Sequence, residues 1–380
     1  MSRITPYENQ LDALAQAGRR RALVIPGGRD FSSNDYLGLA HSTFLRDAAK
    51  AALDSGMAHG SGGSRLLGGN HPEHESLETY AAAHYDAETA LFFSTGYAAN
   101  LALFSTLPQR GDLVLYDSLI HASAHDGMKL GRADTRTFAH NDCDDLEKQI
   151  LRFRATGDTG TIWIATESLF SMDGDTAPLA ELVKLADRHD AMLVIDEAHA
   201  TGVFGAGGRG LSANVGQRDN ILTLRTCGKA LGVEGGLITM PAILRDFFVN
   251  RARAFIFSTA PSPLTAHLVK QAIRHVDQTP ALQQELHRHI ALTGDLLAEH
   301  VTSGPNSSQI FPVILGDDRK AVAVAGQLQQ QGFDVRAIRP PTVPDGTARL
   351  RISLTLNVST QDIHDLADAL EQALKVEKAA

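Results

Sequence analysis

The chain lacks most of the features that mark secreted, membrane-spanning or nucleic-acid-binding proteins. It has only two cysteines among 380 residues, and Cys143 and Cys227 do not have the paired spacing of a zinc site, so we predict neither a disulfide framework nor a metal centre. The formal net charge is -9 and no run of like charges occurs, which argues against nucleic acid or an anionic membrane as a partner. No segment approaches the roughly 20 apolar residues of a membrane helix, and residues 1–10 do not form a signal core, so we expect a cytoplasmic protein.

Short β-branched runs alternate with helical patterns from about residue 42 to 240. This alternation is typical of right-handed βαβ units, in which helices cover both faces of a mostly parallel sheet. The pattern changes after a Gly-, Pro-, Asn- and Ser-containing stretch at residues 302–308. We therefore predict an α/β protein with an N-terminal segment (1–41), a large cofactor-binding domain (42–302) and a smaller C-terminal α+β domain (303–380). The predicted strands of the large sheet are 90–94, 112–116, 161–166, 191–195, 220–224 and 236–240, and 263–301 is predicted as a long helical region.

Lys229 lies in a turn that suits covalent chemistry. The turn follows the apolar run 221–224, and its flanking glycines allow the backbone to approach a ligand. Asp196 closes the apolar run 191–195, so its carboxylate should lie at the same carboxyl edge of the parallel sheet. A lysine together with an aspartate placed for a ring nitrogen indicates pyridoxal 5'-phosphate as the cofactor.

Three other segments provide candidate cofactor contacts. The turn Ser94-Thr95-Gly96-Tyr97 opens a helix and is either an ordinary helix cap or a phosphate seat, and the presence of Lys229 favours the phosphate seat. His121 could stack on a ring; its i, i+4 pairing with His125 resembles a metal site but lacks the glutamate of a zinc protease, which disfavours metal binding. Ser171 could bond a ring substituent, or its Asp- and Gly-rich turn is purely structural.

The segment Asp196-Glu197-Ala198-His199 matches a motif of nucleotide-driven motors. Such a motor also needs a Gly-x-x-x-x-Gly-Lys-Ser/Thr phosphate loop, and Lys229 is followed by Ala230, so the motor interpretation fails. We interpret Asp196 as the partner of a pyridine nitrogen and His199 as the partner of a phenolic oxygen, with a structural salt bridge as the alternative.

Two arginines share one face of a strand predicted at residues 348–354. Arg349 and Arg351 alternate with apolar residues, so their side chains point the same way. One of them could bind a substrate carboxylate through two parallel hydrogen bonds, although solvated surface arginines are the common alternative.

Taken together, these segments resemble the α-oxoamine synthases, fold-type I pyridoxal phosphate enzymes that condense an amino acid with an acyl thioester and release carbon dioxide. The resemblance runs through nearly the whole chain. The segments that carry it are Ser32-Ser33-Asn34-Asp35-Tyr36-Leu37-Gly38, Gly60-Ser61-Gly62-Gly63-Ser64-Arg65, His121-Ala122-Ser123, Phe170-Ser171-Met172-Asp173-Gly174-Asp175, 196–202 and 226–232.

The resemblance implies a role for each matching residue. It implies that Lys229 holds the cofactor covalently, that His121 covers the ring and that Asp196 binds the pyridine nitrogen. The other implied cofactor ligands are Gly96, Tyr97, Ser171, His199 and Thr226, with Ser258 and Thr259 lent by the second subunit of a homodimer that shares its active sites. The implied substrate ligands are Asn34 and Arg351 for the amino acid, and Thr342 and Arg19, from the cluster Arg19-Arg20-Arg21, for the acyl group.

The resemblance also implies the reactants. Residues 338–351 are most similar to the family members that use L-alanine, and the second substrate would be an acyl thioester of coenzyme A or of an acyl carrier protein. A glycine-using 2-amino-3-ketobutyrate ligase and a long-chain aminoketone synthase are alternatives within the family. The chain departs from the family pattern in a shorter segment between Arg21 and Phe31, in Glu234, which stands where serine is common, and in residues 260–263.

Overall fold

The computed structural model describes residues 3–216, 218–301 and 308–379. The boundary predicted at residues 302–308 therefore lies almost entirely outside the described residues. By compactness, the chain divides into two units. Unit 1 contains the residues up to Ser33, Met172–Gly174 and those from Leu286 onward, and unit 2 contains Asn34–Ser171 and Asp175–Glu285.

The helices and strands are numbered in chain order. The strands are β1 Arg29–Asp30, β2 Thr89–Phe93, β3 Leu113–Asp117, β4 Asp134–Phe138, β5 Ile162–Glu167, β6 Met192–Asp196, β7 Ile221–Thr226, β8 Gly236–Met240, β9 Ile310–Gly316, β10 Phe333–Asp334, β11 Arg336–Ile338 and β12 Ala348–Ser353. The helices are α1 Thr5–Gln16, α2 Thr43–Asp54, α3 Pro72–His84, α4 Gly96–Thr106, α5 Ala122–Leu130, α6 Cys143–Ala155, α7 Leu179–Arg188, α8 Ala242–Arg251, α9 Arg253–Ile256, α10 Pro263–Gln278, α11 Pro280–Leu296, α12 Asp318–Gln330 and α13 Thr360–Ala379. None of these described helices is long and apolar enough to span a membrane.

Unit 2 is built on one seven-stranded sheet with the strand order β2-β8-β7-β6-β5-β3-β4. The strands from β7 to β4 run parallel to their neighbours, whereas β8 is antiparallel to both β7 and β2. This is the mostly parallel sheet that the sequence predicts. In such a sheet the carboxyl ends of β3, β5, β6 and β7 meet along one edge, where ligands bind.

Alternating side chains along the strands form a core on each face of this sheet. In β5, Trp163 and Ala165 pack with α4 and α5 residues such as Leu103 on one face. Ile162 and Ile164 pack on the other face with α6 and α7 residues. Both faces are covered because the strands are apolar at successive positions, as parallel strands between two helix layers must be.

The predicted strands all occur, displaced by at most two residues at either end. The edge strand β4 was not predicted, because four of its five residues are exposed and its sequence Asp-Thr-Arg-Thr-Phe carries no apolar alternation. Helix α5 was also not predicted. The helical region 263–301 is two helices, α10 and α11, with the break at Thr279 before Pro280, a residue that lacks the N–H needed to continue a helix.

Unit 1 contains a three-stranded antiparallel sheet in the order β11-β12-β9, accompanied by α12 and α13. The N-terminal segment joins this unit through β1, which pairs in parallel with β10. The guanidinium carbon of Arg29 lies 3.8 Å from the centroid of the Phe333 ring. Arg29 is also paired with Asp362 and Asp365 of α13, at 3.4 and 2.7 Å. In addition to the strand pairing, Arg29 therefore bridges β10 and α13.

Candidate active site

A cavity of about 320 Å³ opens at the carboxyl edge of the sheet in unit 2. Strands β5, β6 and β7 each deliver a polar side chain to it at or just after their last residue. Seven residues predicted from the sequence to bind the cofactor line this cavity: Gly96, Tyr97, His121, Asp196, His199, Thr226 and Lys229. The other lining residues are Thr95, Asn100, Ser123, Glu167, Ala198, Leu224, Gly228, Glu234 and Gly235.

Lys229 lies in the connection from β7 to the antiparallel strand β8. The backbone of this turn is closed by hydrogen bonds from Cys227 N to Gly235 O and from Val233 N to Cys227 O, both 2.9 Å. A third bond, also 2.9 Å, joins Gly232 N to Lys229 O. Gly232 has φ +65° and packs so closely on Leu39 and Ala40 that a Cβ would lie 2.4 Å from Ala40 N. Only glycine suits that position.

The Lys229 amine ends a chain of side-chain hydrogen bonds. Its Nζ lies 2.8 Å from His199 Nε2, and His199 Nδ1 lies 2.6 Å from the hydroxyl of Tyr36. Tyr36 is fully buried and donates to Asn34 Oδ1 at 3.0 Å. Because that hydroxyl has a single proton, His199 Nδ1–H donates to Tyr36 and His199 Nε2 accepts from the lysine.

Asp196 is buried at the end of β6 with its carboxylate held from two sides. Oδ2 accepts from Asn100 Nδ2 at 2.8 Å and Oδ1 accepts from the backbone N–H of Ala198 at 2.9 Å. Asn100 comes from α4 and also donates to Ser123 Oγ of α5 at 3.0 Å. Sequence reasoning missed Asn100. The available signal was a polar residue on the buried side of an otherwise apolar helix, one turn after the predicted phosphate seat.

His121 precedes α5 and caps it. Its Nδ1 accepts from the backbone N–H of Ser123 at 3.2 Å and lies 2.8 Å from the hydroxyl of the same residue. Desolvation lowers the pKa of His121 below its ordinary value; Asp196 raises it and the charge of Lys229 lowers it. The imidazole is therefore neutral at pH 7, which suits a ring that packs against an aromatic cofactor.

The amino end of α4 forms the third side of the cavity. Thr95 caps the helix by accepting from Ala98 N at 2.9 Å. A Cβ on Gly96 would lie 3.2 Å from the Thr226 side chain, so glycine allows the helix end to approach β7 closely. The Tyr97 hydroxyl donates to Asp126. An exposed helix amino end beside a threonine hydroxyl is a favourable place for a phosphate.

These residues fit pyridoxal phosphate. The cavity has an amine, a carboxylate that can hold a ring-nitrogen proton, a neutral imidazole and a helix amino end. Gly96 leaves open the space beside Thr226 that a side chain would occupy. In this arrangement Lys229 could bond to the aldehyde carbon of the cofactor, Asp196 could meet its ring nitrogen, and Gly96 with Thr226 could hold its phosphate.

Other predicted residues lie elsewhere in the described chain. The cavity lining does not include Ser171, Ser258 or Thr259. Asn34 does not line the cavity either, but it is hydrogen-bonded to Tyr36, which in turn contacts the lining residue His199.

The predicted substrate ligands of unit 1 form their own contacts. Arg351 is buried on β12, where its Nη1 donates to Ser353 Oγ at 2.5 Å. Arg21, rather than Arg19, contacts Thr342: its Nη2 donates to Thr342 Oγ1 at 3.2 Å. Arg19 is paired instead with Asp318 at 2.8 Å and Asp345 at 3.3 Å. Arg349 is paired with Asp173.

A histidine clamp lies beside the cavity at the end of β3. His140 contacts Asp117 Oδ1 through Nδ1 at 2.9 Å and Asp175 Oδ2 through Nε2 at 2.8 Å. Burial lowers the pKa of His140, but the hydrogen bonds and charges of the two carboxylates outweigh this and raise it to about 10. The imidazole is therefore protonated at pH 7, and its positive charge faces the carboxylates of both Asp117 and Asp175.

The profile of the aminotransferase class I and II family matches residues 28–370. The chain belongs to this family. The 8-amino-7-oxononanoate synthase of Aromatoleum aromaticum is 40% identical over 378 residues, which cover 96% of each chain. The 8-amino-7-oxononanoate synthase 2 of Bacillus subtilis is 41% identical over 372 residues, or 94% of each chain.

Solved structures show the same relationship. A serine palmitoyltransferase from S. paucimobilis with a bound PLP-myriocin aldimine superposes with a TM-score of 0.91 at 26% identity and covers 100% of both chains. The 8-amino-7-oxononanoate synthase of Francisella tularensis superposes with a TM-score of 0.77 at 26% identity and covers 92% of this chain and 99% of that one. The resemblance to α-oxoamine synthases, the fold class, the pyridoxal phosphate cofactor and the acyltransferase class of enzyme are thereby confirmed.

Proposed function

We propose that this enzyme condenses L-alanine with a pimeloyl thioester, releasing carbon dioxide and the thiol, to give the 8-amino-7-oxononanoate of biotin biosynthesis. The observation that carries the proposal is the cavity in which Lys229, His199 and Asp196 meet. The curated relatives at about 40% identity are named for this product, and the similarity of residues 338–351 to family members that use L-alanine supports the choice of amino acid.

The cofactor, when bound, supplies an electron sink for the negative charge that develops at the amino-acid Cα. Lys229 Nζ removes the Cα proton of alanine and later returns a proton to the same carbon of the product. His199 accepts a hydrogen bond from that amine and fixes its direction. Asp196 retains the proton on the ring nitrogen, because Asn100 and Ala198 hold its carboxylate in place.

The remaining residues recognise the substrates. We assign Arg351 and Asn34 to the amino acid, and Thr342 to the acyl group. The contact of Arg21 with Thr342 supports Arg21 as the arginine that meets the far carboxylate of a pimeloyl chain, because two carboxylates already engage Arg19. We further propose a homodimer in which Ser258 and Thr259 reach the partner's cofactor.

The decisive experiment combines purified protein with L-alanine and either pimeloyl coenzyme A or pimeloyl acyl carrier protein. We expect carbon dioxide release and 8-amino-7-oxononanoate by mass spectrometry, and rescue of a biotin auxotroph. Lys229→Ala should lose both the visible absorbance of the cofactor and turnover. A Lys229→Ala protein that keeps both would overturn the assignment of the lysine, and a wild type inactive with alanine would overturn the proposed substrate.

A second candidate is a serine-using activity. It is favoured by the solved serine palmitoyltransferase of Sphingomonas wittichii, which matches with a TM-score of 0.90 at 29% identity and covers 100% of this chain and 98% of that chain. Parallel assays with serine, glycine and alanine, each with pimeloyl and palmitoyl thioesters, separate the candidates. A preference for serine with palmitoyl thioester by kcat/KM would support this second function.

A further inference from the structure

Glu167 is a buried carboxyl group in the cavity to which the proposed mechanism gives no task. It ends β5 and lies opposite Asp196, which ends β6, in the parallel register of the sheet. Its relative exposure is 2%, compared with 6% for Asp196. Among the described residues its Oε1 has no hydrogen-bond partner, although the residue lines the same cavity as Lys229.

The charged and polar groups around Glu167 determine whether its carboxyl group or those of its acidic neighbours carry a negative charge. Asp117 of β3 and Asp196 of β6 are acidic, Lys229 of the β7–β8 turn is basic, and the backbone N–H of His121 points to the Glu167 carboxyl group. The imidazole of His121 and that of His199 line the cavity as well.

The two neighbouring aspartates already have the partners that an anion requires. The Asp117 carboxylate accepts hydrogen bonds from the backbone N–H groups of Leu119 and Asn141, and it contacts the His140 cation. Asp196 accepts two hydrogen bonds from the protein. The Glu167 carboxyl group, by contrast, has one donor, the backbone N–H of His121, and its Oε1 has no partner among the described residues. With so few donors, the ionised form of this buried group has a much higher free energy than the neutral acid.

We propose that Glu167 is a neutral carboxylic acid in the working enzyme and acts as a positioning residue for the ring end of the cofactor. Burial, reinforced by the charge of Asp196, raises its pKa well above the usual range, while Lys229 and the His121 N–H oppose this. As a neutral group it leaves Asp196 as the single negative charge beside the ring nitrogen. Its carbonyl oxygen holds the His121 N–H and so fixes the start of α5, and its O–H is a donor toward the cavity.

The charge state is tested by Glu167→Gln, which keeps the shape and removes the titrating group. Infrared spectra of the holoenzyme at pH 7 should contain a protonated-carboxyl band that this variant lacks. The pH midpoint of the cofactor's visible absorbance should agree with that of the wild type within about 0.3 unit, since no charge is lost. A midpoint lowered by about one unit or more, with no band lost, would mean that Glu167 is ionised and would overturn the proposal.

Glu197 provides a matched control. It is also a fully buried glutamate with a raised pKa caused by burial, but its oxygens accept from Leu211 N and Ser212 N and it does not line the cavity. Glu197→Gln should leave the absorbance midpoint unchanged and should not remove the band assigned to Glu167.

The positioning role is tested by Glu167→Leu, which fills similar volume but cannot accept the His121 N–H. We expect roughly tenfold weaker cofactor binding and a smaller circular dichroism signal from the bound cofactor, both restored by Glu167→Gln. A Glu167→Leu protein with the wild-type dichroism would show that the residue only fills space. If Glu167→Leu does not fold, the circular dichroism and the cofactor affinity of Glu167→Gln decide the question. Wild-type values of both support the positioning role. A clear loss of dichroism or of affinity in a Glu167→Gln protein that lacks the protonated-carboxyl band refutes that role. These measurements concern cofactor binding alone, so they are independent of whether alanine or serine is the substrate.

Discussion

Arg19 and Arg21 leave the same short segment but meet different partners in unit 1. Arg21 reaches Thr342, whereas Asp318 and Asp345 hold Arg19. We expect Arg21→Ala to raise KM for a pimeloyl thioester about tenfold, because a charge-assisted contact with the far carboxylate is lost, and to leave KM for alanine unchanged.

Steady-state kinetics with a monocarboxylic thioester of similar length provide the control for this prediction. That substrate has no far carboxylate, so its KM should not respond to Arg21→Ala. Arg19→Ala should have the smaller effect on the pimeloyl substrate. If Arg19→Ala has the larger effect, the assignment of Arg21 is wrong.

The residues that the sequence could identify are those marked by a local pattern. Lys229, Asp196 and His199 each follow an apolar run, so the carboxyl-edge rule places them together without coordinates. Asn100 and Glu167 could not be found in this way. Asn100 reaches Asp196 because α4 packs on the sheet against β7 and β8, and Glu167 faces Asp196 because β5 pairs with β6. Neither relation follows from spacing along the chain.

Helices α4 and α5, which carry Asn100 and the His121 cap, pack closely at Gly127. A Cβ on Gly127 would lie 2.9 Å from Asn100 O and 2.9 Å from Phe104 Cβ, so the helices would have to separate. We expect Gly127→Ala to lower the free energy of unfolding by about 1–3 kcal/mol and to weaken cofactor binding, as measured by urea unfolding and absorbance titration.

Gly326 of α12 is the matched helical glycine, because nothing lies within 4 Å of the position of its Cβ. Gly326→Ala should raise the free energy of unfolding by about 0.5–1 kcal/mol, since alanine is the better helix former. Equal effects of the two substitutions would contradict the packing argument.

Among the helices and strands, the sequence predicts the buried ones better than the peripheral ones. The strands β5 and β6 are continuous apolar runs, which identifies them in any context. Strand β4 is polar and exposed and becomes a strand only because β3 offers it an edge. Helix α5 is short and begins at histidines whose spacing also resembles a metal site, so its packing against α4 decides its conformation.

The stability of the whole molecule should depend on pH through His140. Its folded pKa is about 10, above the ordinary value near 6.5, so its contribution is complete below about pH 6.5 and is lost as the pH rises toward 10. The difference in unfolding free energy between wild type and His140→Gln should therefore be larger at pH 6 than at pH 9.5.

The fluorescence of the single tryptophan, Trp163 of β5, reports on the unfolding of unit 2, which also contains His140, because Trp163 is buried in the core of that unit. Fluorescence-detected guanidinium unfolding at the two pH values provides the comparison. An NMR titration of His140 gives the direct check, and a midpoint near 6.5 would refute the clamp.

The turn that carries the reactive lysine has a further consequence for ligand binding. Its backbone is hydrogen-bonded to itself and to the start of β8, so the chain around Lys229 has already lost most of its conformational entropy when the protein folds. A preorganised amine requires little ordering when a ligand arrives. The free energy gained from binding is then available for orienting the ring and the substrate, which is where a reaction at a single carbon atom needs it.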